Sequence, residues 1–156
     1  MRLRRLIDRL RLSSHIRGGT DQDLALVRRI WANARYVNRG PVGFGAMRSL
    51  EWLAVRFVAG TADEAESFFI GNLADPRPTV VAYSLLGLLE LRHPILAELP
   101  ESVISSDKPV MSQLGCHCFK GTLGQFTEVV CADYSDVTSS RGKSRGDHRS
   151  DSPTRP

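Results

Sequence analysis

The residues of this sequence with the greatest capacity for chemistry are two cysteines that flank a histidine, Cys116-His117-Cys118. A structural zinc site takes its ligands from two such clusters, and Cys131 is the one remaining cysteine. The surrounding pattern predicts a helix, on which neighbouring side chains point about 100° apart, so that Cys116 and Cys118 diverge. We therefore predict structural thiols beside an exposed imidazole, with no metal ion and no redox pair.

A possible nucleophile and base are better explained as part of a helix start. Ser105 and Lys108 have the Ser-x-x-Lys spacing that some hydrolases use, but the companion motifs of those enzymes are missing from the sequence. Ser106 and Asp107, which lie between them, are residue types that cap helix N-termini. The sequence therefore indicates a cap at this place rather than a catalytic pair.

The remaining polar and flexible residues supply no further chemistry. Three glycines fit neither a Walker loop nor a dinucleotide fingerprint and are interpreted as a flexible connection: Gly40, Gly43 and Gly45. The histidines have no carboxylate partner that the sequence can supply: His15, His93, His117 and His148. Three acids suit the first turn of a helix: Asp63, Glu64 and Glu66. We predict no catalytic residue, no cofactor and no enzymatic activity.

Positive charge is concentrated at the start of the chain. The 156 residues carry a formal net charge of +4, and 42% of them are hydrophobic, which excludes a wholly disordered chain. Residues 1–19 hold six Arg and one Asp, whereas residues 20–131 hold ten basic and twelve acidic residues. Because arginine suits bidentate contacts to phosphate, these side chains are candidates for contacting nucleic acid or an anionic membrane. They are Arg2, Arg4, Arg5, Arg9, Arg11, Arg28 and Arg29.

The basic segment 1–19 is amphipathic, since Leu3, Leu6 and Leu10 fall at helical spacing with arginines largely opposite them. This pattern favours the first helix of a soluble domain, and it is shared by membrane-surface helices and mitochondrial presequences. The sequence has no apolar run that could cross a bilayer and no apolar core of a secretory signal. Three cysteines are too few for a disulfide framework. We predict a cytoplasmic protein, with the mitochondrion as the alternative.

Helical signals follow one another from residue 20 to residue 134. Thr20 with Asp23, and Thr61 with Glu64, have the spacing of capping boxes. Pro78 suits the first position of an apolar helix that neighbours should enclose. The predicted helices cover about 20–37, 47–58, 61–73, 78–91, 107–119 and 122–134. Short connections imply antiparallel neighbours, so we predict an all-α domain over 20–134, built as a short stack of antiparallel helical hairpins.

The turn from Asn72 to Val80, Asn-Leu-Ala-Asp-Pro-Arg-Pro-Thr-Val, followed by Ala82, Leu86 and Leu89, resembles a HEAT repeat. Residues 62–92 cover one such unit well, and weaker copies lie before and after it. The resemblance implies an α-solenoid whose shallow surface binds proteins or peptides. It implies no functional residue, since the signature residues of the repeat are structural.

The end of the chain differs in composition from the rest. From Thr138 onward there is no hydrophobic residue, so we predict a disordered tail over 135–156. The domain between this tail and the basic segment 1–19 is predicted to be a non-catalytic HEAT-like scaffold that binds another protein or peptide. The alternative function is binding of nucleic acid or an anionic membrane through the arginine-rich N-terminal segment.

Overall fold

The computed structural model describes residues 20–42, 47–61 and 64–143 of the chain. The elements in chain order are α1 (Asp21–Ala32), β1 (Val37–Val42), β2 (Met47–Arg48), α2 (Leu50–Thr61), α3 (Ala65–Gly71), α4 (Pro78–Glu90), α5 (Glu101–Ile104), β3 (Pro109–Gly115), β4 (His117–Thr122) and α6 (Leu123–Lys143). Short 3-10 turns cover Asn72–Ala74 and Pro94–Ala97. Among the described helices, none is both long and apolar enough to span a membrane.

The chain combines helices with a mixed β-sheet, so the all-α prediction of a helical-hairpin stack is wrong. The four strands lie in the order β2-β1-β3-β4. The outer pairs, β1 with β2 and β3 with β4, are antiparallel, whereas the central pair β1 and β3 is parallel. The parallel pair joins segments on either side of the helices α2 to α5, and the fold is therefore of the α/β type.

The predicted helix over 107–119 is instead the hairpin of β3 and β4. Pro109 opens β3 rather than a helix, and Leu114 pairs with His117 across a two-residue turn. Gly115 begins this turn with a φ of 59°, a left-handed conformation that glycine adopts without strain. Gly at the first turn position is the signature of a type II′ hairpin, which matches the twist of the flanking strands.

Strand β1 lies where the sequence predicted the end of a helix, at about residue 37, followed by a flexible connection. Helix α1 ends at Ala32, and Val37 is fully buried in the strand that follows. The register between β1 and β3 shifts between Asn38 and Val42, so the strand contains an irregularity. Gly40 lies there with a φ of 137° and Pro41 follows it, two residue types that strands accept at such bulges.

Two helix starts are confirmed. The capping box of α1 is present, because the Asp23 amide donates to the Thr20 hydroxyl at 3.3 Å and the Thr20 amide donates to the Asp23 carboxylate at 3.2 Å. Pro78 is at the start of α4. The turn before it is held by Arg77, whose hydrogen bonds to the Asp75 carboxylate keep the pKa of Asp75 below its usual value.

Two other boundaries differ from the expected ones. Thr61 is the last residue of α2, and the residue before α3 is Glu64, which makes no side-chain capping bond. Helix α6 runs on to Lys143, beyond the boundary at 134, so residues 135–143 are helical. The basic segment 1–19 and residues 144–156 of the proposed tail lie outside the described residues.

Helix α4 is the centre of the core, as its apolar sequence predicted. Every residue from Val80 to Leu88 is buried, and the helix packs against α1, α2, α3 and α6 as well as the sheet. Trp31 of α1 is fully buried, with its ring stacked 5.7 Å from that of Tyr83 and 6.1 Å from that of Phe69. The helices therefore form one core, against which the sheet is held.

Candidate functional site

The arginines proposed as anion contacts divide into two groups. Arg2, Arg4, Arg5, Arg9 and Arg11 lie outside the described residues. Arg28 and Arg29 lie on α1, and Arg28 already has partners within the fold. Its Nε donates to Oδ1 of the buried Asn72 at 2.7 Å, and its guanidinium lies 5.5 Å from the centre of the Phe68 ring. Arg28 thus joins α1 to α3 and the turn after it, and contact of these arginines with an anion stays a prediction.

We expect Arg28→Ala to lower the free energy of unfolding by about 1–2 kcal/mol, because Asn72 loses a charge-assisted hydrogen bond and Phe68 loses its cation partner. Urea denaturation measures the change. Arg29→Ala removes an exposed neighbour on the same helix and should stay within about 0.5 kcal/mol of the wild type. Equal effects of the two substitutions would contradict the bracing role of Arg28.

The side chains considered for catalysis have structural partners. His93 Nε2 lies 2.7 Å from Oε1 of Glu66, and its Nδ1 accepts from the Ile95 amide at 3.2 Å, so the ring caps the 3-10 turn. Glu66 is a partner that the sequence could not identify. Ser105 donates to the Glu101 carbonyl at 2.7 Å, and Lys108 donates to the Pro76 carbonyl at 3.2 Å. Ser105 and Lys108 therefore serve separate backbone contacts and do not bond to each other.

The cysteines occupy two different environments. Cys116 and Cys118 are exposed at the tip of the β3–β4 hairpin, whereas Cys131 is partly buried on α6. The Cys131 thiol donates to the Leu96 carbonyl at 3.4 Å, and burial raises its pKa. Within the described part of the chain, no three ligand-type side chains come together to hold a metal ion.

An apolar cleft of about 290 Å³ lies between the β3–β4 hairpin and α6. Val110 and Phe126 form its buried floor. Its walls are large apolar side chains that remain 51%, 55% and 42% exposed: Leu114, Phe119 and Val129. Exposed apolar side chains clustered around a concave surface are typical of a binding site, and we refer to this surface as the hairpin cleft.

Polar residues surround the hairpin cleft and fix its shape. Arg39 of β1 lines it and forms an ion pair with Asp133 of α6. Gln125 of α6 accepts from the Thr122 amide at 3.0 Å and donates its own amide to the Thr122 hydroxyl at 3.3 Å. These contacts attach α6 to β1 and to the end of β4. The cleft is therefore already formed in the absence of a ligand.

Strand β4 borders the hairpin cleft and is an edge of the sheet, since no described strand lies beside it on the side away from β3. The Leu123 amide donates to the Lys108 carbonyl at 2.8 Å, which sets the alternation of hydrogen-bonded pairs along the hairpin. Residues 117, 119 and 121 therefore bond to β3. The backbone N–H and C=O groups of Cys118 and Lys120 point outward.

The hairpin cleft was not predicted, because residues 107–119 were expected to form a helix. The apolar residues Val110, Met111 and Leu114 have the i, i+1, i+4 spacing of a helix and not the alternation of a strand, so Gly115 was the one local signal of a turn.

A second groove, of about 530 Å³, lies between α6 and the segment from Leu96 to Ile104. It includes the partly buried Cys131 and the exposed Ile104. Unlike the hairpin cleft, it adjoins no strand and offers no outward row of backbone groups. The hairpin cleft is therefore the stronger candidate among the described residues.

The helices α3 and α4 and the turn between them contain the residues that resemble a HEAT unit, and they pack against each other. Membership of that family stays a prediction. Comparison of the chain with protein-family models, with curated proteins and with solved structures gives no match.

Proposed function

We propose that the protein is a peptide-binding module that takes up an extended segment of a partner protein as an additional strand on β4. The observation that carries the proposal is a strand edge that no described strand covers, lying beside an apolar cleft. Addition of a strand to a sheet edge is a common mode of peptide recognition, in which main-chain bonds give affinity and side-chain pockets give specificity.

The edge of β4 has the hydrogen-bonding groups that this mode requires. Cys118 and Lys120 each direct one N–H and one C=O outward, so an added strand can form up to four main-chain hydrogen bonds. The Thr122 amide is already bonded to Gln125, which ends the available edge at that point. The partner segment is therefore short.

The hairpin cleft supplies the side-chain specificity. Side chains of an added strand alternate between the two faces of the sheet. Those on the face of Phe119 would contact the exposed rings and aliphatic groups of the cleft, so the favoured segment has apolar side chains at every second position. Lys120 is exposed on the other face of β4 from Phe119. An acidic residue of the segment on that same face as Lys120 would therefore be favoured.

Edge strands that expose apolar side chains pair with other chains unless the protein protects them. β4 carries one charged residue, Lys120, and the largely exposed Phe119. Binding of a partner strand would cover this apolar surface and pair the exposed edge of β4.

Lys120→Pro tests the proposal with the smallest change to the hairpin itself. Proline removes the outward Lys120 N–H but no bond to β3, and edge strands accept proline at such positions. Peptides selected from a random display library on the full-length protein serve as the probe. We expect at least about tenfold weaker binding to the variant by calorimetry, because one main-chain bond is lost and the added strand meets the proline ring.

Lys120→Ala is the matched control, since it removes the charge and keeps the N–H. Its affinity should stay within about threefold of the wild type. A second measurement uses the unmodified protein: bound peptide should slow hydrogen exchange of the Cys118 and Lys120 amides and leave that of Thr122 unchanged. Failure to select any peptide, or unaltered exchange at both amides, would exclude strand addition.

A further inference from the structure

The tip of the β3–β4 hairpin carries two exposed cysteines that are two positions apart in the chain. Cys116 is the second residue of the turn and Cys118 is the second residue of β4. Because only one residue lies between them, their Cα atoms are at most about 7 Å apart. Both side chains are exposed. The helical geometry that argued against a joint role for Cys116 and Cys118 does not apply here.

The two cysteines lie apart from the hairpin cleft. His117 and Phe119 share one face of β4, with ring centres 6.5 Å apart, and Phe119 lines the cleft. Because strand side chains alternate, Cys118 points to the opposite face, together with Lys120. Neither cysteine lines the apolar cleft, although the backbone of Cys118 belongs to the edge of β4 that is proposed to bind the peptide.

The number and type of the available ligands indicate which metal ion could bind at this tip. Thiolates prefer soft ions such as Cu(I), whereas a structural zinc site requires four ligands. His117 lies between the two cysteines in the chain but packs beside Phe119, and among the described residues no three ligand-type side chains come together.

We propose that Cys116 and Cys118 form a two-thiolate site for one soft monovalent d10 cation of the Cu(I) class. Each thiol releases a proton, two sulfur–metal bonds form, and the ion keeps its oxidation state. The resulting bis-thiolate complex carries one negative charge, and the ammonium group of Lys120 lies on the same face of the strand to offset it. Cys131 takes no part, because its thiol is directed to the Leu96 carbonyl.

Anaerobic titration of Cu(I) into the full-length, reduced protein, in competition with a coloured Cu(I) chelator, tests the site. We expect one tightly bound equivalent in the wild type and in Cys131→Ser. In Cys116→Ser and in Cys118→Ser the affinity should fall by more than about a hundredfold, because even the outer partners of a metal ligand contribute about 10- to 100-fold. X-ray absorption of the wild-type complex should show two sulfur neighbours.

Three outcomes would overturn the proposal: wild-type affinity in either hairpin variant, loss of binding in Cys131→Ser, or a nitrogen neighbour in the absorption spectrum. The last result would assign the ion to His117. Both hairpin cysteines are exposed and make no described hydrogen bond through their side chains, so the serine variants should fold as the wild type does. Circular dichroism provides that check before titration.

Discussion

Gly87→Ala is expected to lower the free energy of unfolding by about 3 kcal/mol, the upper range for overpacking in a core. Gly87 lies on the central helix α4, where a Cβ atom would stand 2.2 Å from Cε1 of Phe69. Phe69 is fully buried and stacked on Trp31, so its ring has little room to move. Urea denaturation monitored by tryptophan fluorescence measures the loss.

A matched control and a second substitution separate packing from helix propensity. A Cβ atom at Gly60 of α2 would meet nothing within 4 Å, so Gly60→Ala should stabilise the protein by about 0.5–1 kcal/mol. Phe69→Leu should reduce the cost of Gly87→Ala when the two are combined, because it removes the ring atoms that clash. A strictly additive pair would show that Phe69 is not the source of the cost.

Tyr83→Phe is the second substitution with a large expected effect, about 2–3 kcal/mol of destabilisation. The Tyr83 hydroxyl donates to the Tyr36 carbonyl at 2.8 Å and accepts from the buried Asn38 amide at 3.0 Å. Phenylalanine would leave both backbone groups without this partner, and each orphaned buried group costs about 1–3 kcal/mol. Tyr134→Phe is the control, with an expected change within about 0.5 kcal/mol.

The same tyrosine gives a pH dependence with a definite sign. Burial raises the pKa of Tyr83, because the ionised phenolate is poorly solvated in the core. Above the unfolded pKa of about 10, the unfolded chain loses the proton first, and stability falls as the pH rises. The stability of Tyr83→Phe should therefore decline less steeply above pH 10 than that of the wild type. Equal slopes of unfolding free energy against pH in the two proteins would contradict a buried Tyr83 phenol.

Local signals in the sequence predicted several helices correctly because one interaction within a few residues determines each of them. The Thr20–Asp23 capping box and Pro78 depend on neighbouring atoms only. Burial of α4 was also predictable, since a helix that is apolar on all sides needs packing partners all round. These features are confirmed within the described residues.

The strands were missed because distant pairing determines them. Asp107 and Pro109 are as typical of a helix start as of the turn into β3, and Gly40 with Pro41 disfavours a strand on local grounds. Pairing of β1 with β3 overrides those preferences, and no window of neighbouring residues contains it. The hairpin cleft was missed with the hairpin, since it depends on which side chains share a face of β3 and β4.

The parallel pairing of β1 with β3 has a consequence for biosynthesis. Val37 meets Ser112, a partner about 75 residues later in the chain. At a ribosomal rate of about 5–20 residues per second, β1 therefore waits roughly 4–15 s before the segment that completes the sheet has been made. During that interval the edge of β1 that later pairs with β3 is exposed, while α1 to α4 can already assemble. Ribosome-bound intermediates that end before residue 109 should therefore be the most prone to aggregate and the most dependent on chaperones.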